Sequence, residues 1–287
     1  MRLSYTQPFD WHKLLSFFAG RAIPGVEDVV DATYRRSLLI NGGHRIVEVA
    51  PDASGGALKI HCKGVRGSTK ASLQVLARTV FDLDAPISDI RAALGHDEVL
   101  QRMLRSHADV RVPGAWDGFE LTIRAILGQQ ISVKAATTIA GRIAKRYGEP
   151  LSVADKTLNR LFPTAQKLSR ARFNNLGLVQ SRIDAIRRVA TATVNGDIRF
   201  DGTQSMDNFR RTLLSIKGIG EWTTEYVCMR AMRDRDAFPG SDLGLLSAVS
   251  HPERVTPRVL TRQAEDWRPW RAYAAMLLWG SLEGAGG

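Results

Sequence analysis

The chain has 287 residues, 44% of them apolar and 24% charged, enough length for about two domains and too apolar to be disordered throughout. No run approaches about 18 uninterrupted apolar residues, which excludes a membrane-spanning helix. Forty Lys and Arg against 29 Asp and Glu give a formal charge of +11, an excess that favours polyanionic partners, nucleic acid above all.

Met1 to Pro8 place no apolar signal core behind Arg2, so a secreted destination is not expected. Trp11, Leu14, Leu15, Phe17 and Phe18 recur at helical spacing. Tyr34–Ile40 and Ile46–Ala50 read as strands joined by the Asn41-Gly42-Gly43 turn, and Ala57–Cys62 as a further strand. Ser68 is the expected N-cap of a helix through Leu73, Leu76, Ala77 and Val80. Residues 1–92 thus predict an α+β domain with a small antiparallel sheet and helices on one face.

Beyond Pro86 the pattern is helical nearly to the end. Phe119, Ile123, Ile126 and Leu127 form one stripe, and Ser132 caps a helix that turns Val133, Ala136, Ala140, Ile143 and Tyr147 inward. Asp155–Leu161 and Ile183–Thr193 are expected to continue in helix, and Gly284–Gly287 to fray. Arg142, Lys145, Arg146, Lys167, Arg170, Arg172, Arg187, Arg188, Arg230, Arg233 and Arg235 punctuate this region. Singly they read as solvated helix faces; together they could attract phosphates.

The informative stretch runs from Phe209 to Tyr226. An apolar helix pattern ends at Ser215, Lys217-Gly218-Ile219-Gly220 makes a tight turn, and a second helix starts at once. Gly218 and Gly220 are expected to adopt left-handed angles and to let a ligand approach. The free N–H groups that open the second helix suit a phosphate, and Ile219 pins the turn to the core. This is a helix–hairpin–helix. Asp242 lies 22 positions beyond Gly220, before a short apolar run. A helix cap and a catalytic carboxylate are both open readings of it, and they are compatible.

With Asp242 at that distance, the chain resembles the helix–hairpin–helix DNA glycosylase superfamily and, within it, the bacterial 3-methyladenine DNA glycosylase II type. The likeness is also carried by Gln7-Pro8-Phe9-Asp10-Trp11, Tyr34-x-Arg36-Ser37-Leu38, Arg124-Ala125-Ile126-Leu127-Gly128-Gln129, and Trp267-Arg268-Pro269-Trp270-Arg271 with Trp279. It implies a TATA-binding-protein-like half fold over residues 1–92. It also implies a helical domain over 118–234 and a second one assembled from 93–117 and 235–287, with the cleft between the two.

The resemblance further implies that Asp242 is the catalytic carboxylate of N-glycosidic bond hydrolysis, and that Trp222, Tyr226, Trp279 and Phe17 line a pocket for a flipped base. Aromatics at helical spacing also serve as core, and that reading stays open for these four. Gln130 stands at the family's intercalating position with Ile131 next to it; a polar wedge departs from the apolar one of the best-known member, and either residue could be the tip. Gly218, Gly220 and Thr223 are expected to contact a DNA phosphate. A monovalent cation, Na+ or K+, is expected on the backbone carbonyls of Leu214, Ile216 and Ile219, with no other cofactor.

Relatives that also cut the strand carry a lysine where this chain has Trp222, so a glycosylase without lyase chemistry is expected; Lys217, the nearest alternative amine, precedes the turn and is expected to face the DNA backbone. The two cysteines, Cys62 and Cys228, cannot supply an iron–sulfur cluster or a disulfide framework, and Cys228 reads as a small buried apolar group. They fit a reducing cytoplasm. The six histidines show no zinc spacing. Duplex DNA with alkylated bases is the expected partner, for a monomer without a membrane. The competing expectations are a non-catalytic helix–hairpin–helix DNA-binding module and a glycosylase for a different damaged or mismatched base.

Overall fold

The structure is a computed structural model that describes residues 1–153, 155–250 and 254–283. The tail Gly284–Gly287 and His251 lie outside the described residues.

Five antiparallel strands form the N-terminal sheet: β1 (Arg2–Ser4), β2 (Glu27–Val30), β3 (Thr33–Ile40), β4 (Gly43–Pro51) and β5 (Ala57–Cys62), in the order β1-β5-β4-β3-β2. Asn41 and Gly42 both have positive φ, the requirement of a two-residue hairpin between right-twisted strands. Register sets Tyr34 beside Val49 and Val49 beside Ile60, so one face is continuously apolar. Helices Trp11–Ala19 and Gly67–Val80 contribute Trp11, Leu14, Phe18, Leu73 and Ala77 to the core on that face. The second of these helices is capped at Arg66 without a side-chain bond, so Ser68 lies in its first turn and is not the expected N-cap.

The regular elements of the remaining described residues are helices, arranged around the helix Gly118–Gly128. Eight of its 11 residues are buried, as suits a helix covered on every side. Asp117 caps it through the Glu120 amide at 2.8 Å, and Ser132 caps the next helix, Val133–Tyr147, through Ala135. Ala140 and Ile143 of that helix face inward as expected, but Val133 is exposed at its open N-terminal turn.

Asp155–Leu161 is not a helix. The Asp155 carboxylate accepts from the Thr157 and Leu158 amides and pairs with Arg35, while Asn159 and Arg160 donate to the Gly25 carbonyl. Those bonds to the N-terminal domain replace the ladder a helix would have made.

Four charges, three of them buried and Arg124 half-buried, lock the two regions together. Arg36, two residues along the same sheet face from Tyr34, pairs with Glu27 at 2.7 Å and with Glu120 of the central helix. Arg124, one turn on, reaches Glu27 at 2.8 Å and Glu120 at 3.1 Å. Burial alone would raise the Glu27 carboxyl, but the two guanidiniums and the Tyr34 hydroxyl outweigh it and bring it down to about 2.

The buried side chains fall into two clusters. One belongs to the sheet and reaches Trp116; the other runs unbroken through the helical region and takes in Ile23 and Val26 from the N-terminal part.

Candidate active site

The hairpin consists of helix Met206–Ser215, a turn over 216–220, and helix Glu221–Arg230. Ser205 caps the first helix, and Arg210 ties the pair by bonding Glu225 at 2.7 Å and Asp234 at 2.5 Å. Ile219 is buried in the core, which holds the turn in place. Gly218 has φ +99°, and a Cβ there would come within 2.9 Å of the Ala185 Cβ, so only glycine fits. Gly220 corrects the expectation of two left-handed glycines: its φ is −102°, and open space surrounds it. What it offers is close approach rather than special geometry.

Thr223 is buried, which keeps its side chain away from solvent, and its hydroxyl accepts from the Gln129 amide at 2.9 Å. Its backbone N–H still belongs to the first turn of the helix, where amides lack intrahelical partners. Gln129 also donates to the Gly218 carbonyl at 3.1 Å, and its own carbonyl accepts from Arg182 at 2.6 Å. The loop after Gly128 is thereby fastened to the hairpin. On it Gln130 is exposed with φ +58°, whereas Ile131 lines the neighbouring cavity.

That cavity encloses about 840 Å³ between the helix Trp11–Ala19 of the N-terminal domain and the helical region. Phe17, Trp222, Tyr226, Asp242 and Trp279 all line it, brought from four separate elements. Trp222 and Tyr226, one turn apart on the second hairpin helix, stack with centroids 5.3 Å apart and planes 12° from parallel. Trp279, on the helix Arg271–Glu283, meets the Tyr226 ring edge-on at 6.2 Å. These three are both cavity wall and partly buried packing, so the two open readings of them coexist.

Asp242 caps the helix Leu243–Val249 through the Leu245 amide at 3.0 Å. Its other bonds go to the aromatic wall. The Trp279 indole donates to Oδ1 at 2.8 Å, and the Trp222 indole donates to Oδ2 at 2.7 Å. Three donors therefore fix the direction of one half-buried carboxylate at the cavity surface. Gly244, which sequence reasoning passed over, makes room for this: a Cβ there would sit 2.9 Å from Asp242 Oδ1 and 3.3 Å from Trp279.

Sequence reasoning also missed the guanidiniums. Arg230 was expected on a solvated face, yet it is only 5% exposed and lines the cavity. It donates to the carbonyls of Pro113 at 2.7 Å and Gly114 at 3.2 Å, and to the Tyr226 hydroxyl at 2.5 Å. Burial pulls its guanidinium below the ordinary value. Burial would raise the Tyr226 phenol, but the charges of Arg230 and Arg21 outweigh it and bring it below its ordinary value.

Phe17 carries the Arg21 guanidinium 3.8 Å and the Arg230 guanidinium 4.8 Å from its ring centroid. Its π surface is thus engaged by cations as well as facing the cavity. The signal in the sequence was spacing: Trp222, Tyr226 and Arg230 are i, i+4 and i+8 on one helix face.

The lysine at the cavity is Lys13, not Lys217, and it is held by Asp109 at 3.0 Å and the Ser106 carbonyl at 3.1 Å. Cys228 is buried, and burial pushes its thiol up to about 12. Among the described residues no group of three His, Cys, Asp or Glu could hold a metal ion.

An antiparallel α+β domain packed on a helical hairpin region, with a fixed aspartate in an aromatic cavity, is a base-excision repair architecture. The chain belongs to the HhH-GPD superfamily of base excision DNA repair proteins, whose family profile matches residues 123–269; the AlkA N-terminal domain profile matches residues 1–117. It is 32% identical to DNA-3-methyladenine glycosylase 2 of Escherichia coli, over 96% of this chain and 95% of that one. It is 34% identical to a Mycobacterium tuberculosis protein named "Probable bifunctional transcriptional activator/DNA repair enzyme AlkA", over 99% of this chain; the chain spans 57% of that protein's length. Among solved structures, 3-methyladenine DNA-glycosylase from Archaeoglobus fulgidus has the same fold, with a TM-score of 0.85, 22% identity and 97% of both chains covered.

Proposed function

We propose that this chain is a monofunctional DNA glycosylase that flips alkylated bases, 3-methyladenine and 7-methylguanine among them, out of duplex DNA and hydrolyses the N-glycosidic bond to leave an abasic site. The observation that carries this reading is Asp242, with both carboxylate oxygens held by indole N–H groups in the wall of an aromatic cavity. The name of the Escherichia coli relative supports the same substrate class. A phosphate-binding module would need neither the aspartate nor the aromatic wall.

The chemistry follows from the geometry. As the C1′–N bond breaks, the electron pair leaves with the base and positive charge grows on the sugar. The carboxylate of Asp242 stabilises that charge and takes a proton from the attacking water. Because its direction is set before substrate arrives, little reorganisation is required in the transition state. A base that already carries positive charge needs little further protonation to depart.

Gln130, exposed on a loop tied down through Gln129 and Arg182, is placed to fill the gap left by the flipped nucleotide, with Ile131 behind it. The turn at Gly218 and Gly220 and the opening amides of the second hairpin helix are offered to a DNA phosphate. A monovalent cation would be held by the carbonyls of Leu214, Ile216 and Ile219, hard oxygen donors at the helix end and in the turn beyond it, of which that of Ile216 also accepts from the Ile219 amide at 2.9 Å; when bound it would add positive charge facing that phosphate. Among the described residues the lysine that lines the cavity is Lys13, and it pairs with Asp109 rather than facing Asp242 as a free amine. We place the protein in the cytoplasm, acting as a monomer.

Release of methylated purines from alkylated duplex DNA tests this reading, with strand breaks scored before and after alkali. The expected result is free base with breaks only after alkali. Breaks without alkali would overturn the monofunctional assignment, and no base release would overturn the substrate class.

A further inference from the structure

The cavity holds cations that base release does not require. The charge of Arg124 is spent on Glu27 and Glu120. Arg21 and Arg230 have no carboxylate partner among the described residues: Arg21 donates to the Phe17 carbonyl, and Arg230 to two carbonyls and a phenol. Of the acids that line the cavity, Asp10 caps its own helix and Asp109 pairs with Lys13, while Asp242 is held by two neutral indoles and keeps its charge at the cavity wall. Both guanidiniums converge on the Phe17 ring; Arg111, which also lines the cavity, bonds only carbonyls and lies over Phe9. A guanidinium carries five N–H donors; three of those on Arg230 are used, which leaves two for a ligand.

We propose that Arg230, seconded by Arg21, is a specificity-determining residue that favours neutral bases presenting a carbonyl oxygen over bases with a fixed positive charge. This rests on the base-excision reading above. A carbonyl can accept the free guanidinium hydrogens, whereas a cationic ring lying near Phe17 meets two guanidiniums of its own sign. Lability of the glycosidic bond still speeds release of cationic bases, and the two arginines act against that advantage.

The test uses the whole chain and two duplexes identical except for one base, hypoxanthine or 7-methylguanine. Both bases carry the same O6 carbonyl, and only the second is cationic. Single-turnover release is measured for wild type, Arg230→Gln, Arg230→Lys and Arg21→Gln, with thermal melting to check folding. Arg230→Gln should raise the ratio of 7-methylguanine to hypoxanthine release at least tenfold, and Arg21→Gln at least threefold in the same sense. Arg230→Lys, which keeps the charge, should hold the ratio closer to wild type than Arg230→Gln does.

A ratio that stays within twofold or falls, with both rates reduced alike, would assign Arg230 a purely structural role and overturn the proposal. Should Arg230→Gln fail to fold, Arg21→Gln decides by the same criterion. Wild type releasing neither base would instead overturn the base-excision reading itself.

Discussion

Replacing Trp279 by Phe removes one N–H and leaves most of the ring to pack. The lost bond is the 2.8 Å donation to Asp242 Oδ1. A hydrogen bond to a charged group contributes about 1.5–3 kcal/mol. If that loss is felt fully in the transition state, it lowers the rate of base release about 10- to 150-fold. Trp222→Phe should act similarly through Oδ2, where the bond is 2.7 Å. Single-turnover release gives the rates, and the double variant with Asp242→Asn gives the coupling. An asparagine offers one acceptor and one NH2, so one of the two indoles already faces a donor in that background, and Trp279→Phe should then cost little more. Residues sharing a bond couple by about 0.5–3 kcal/mol. Effects of Trp279→Phe and Asp242→Asn that simply multiply would refute the claim that the indoles work through the carboxylate.

Gly244→Ala should lower release with little loss of DNA affinity, because its Cβ would press on Asp242 Oδ1 at 2.9 Å; unchanged turnover would show that the carboxylate has slack. Gly218→Ala should cost about 1–2 kcal/mol for its left-handed backbone, plus the clash with Ala185, whereas Gly220→Ala should be nearly neutral in thermal melting; equal melting shifts would contradict the geometry. Glu27, held at about 2 against an ordinary 4.5, contributes stability that is complete above pH 4.5 and lost as pH falls toward 2. The shift corresponds to about 3 kcal/mol. Denaturant titrations should show that decline, and a curve flat between pH 5 and pH 2 would argue against the buried network.

The site was legible where chemistry and spacing coincide. Asp242, Trp222, Tyr226 and Trp279 stand at positions whose residue types suit the reaction, and resemblance supplied the distances between them. Arg230 shares the helix face of Trp222 and Tyr226, but its burial depends on the carbonyls of Pro113 and Gly114, more than a hundred residues away. Its spacing from Trp222 and Tyr226 was a signal for the face it occupies, but nothing local signalled its burial. Gly244 was silent for the same reason, since its neighbour Trp279 arrives from another helix.

In the fold, β3 to β5 were readable from their alternation and turns. Strand β2 was not, because Glu27 interrupts its apolar pattern and has its charge answered by Arg36 and Arg124 from elsewhere. Asp155–Leu161 looked helical through its composition and instead takes its bonds from the N-terminal domain. Local patterns carried the elements whose partners are local, and charges answered across the chain escaped them.

The central claim is that Asp242 performs the chemistry while the hairpin and loop hold the DNA. It is tested most directly by comparing wild type and Asp242→Asn on one duplex with a single 7-methylguanine, measuring base release and binding on the same preparations. Release falling by a factor of a hundred or more with duplex affinity kept within a few-fold is the predicted result. Release undiminished in Asp242→Asn would contradict it.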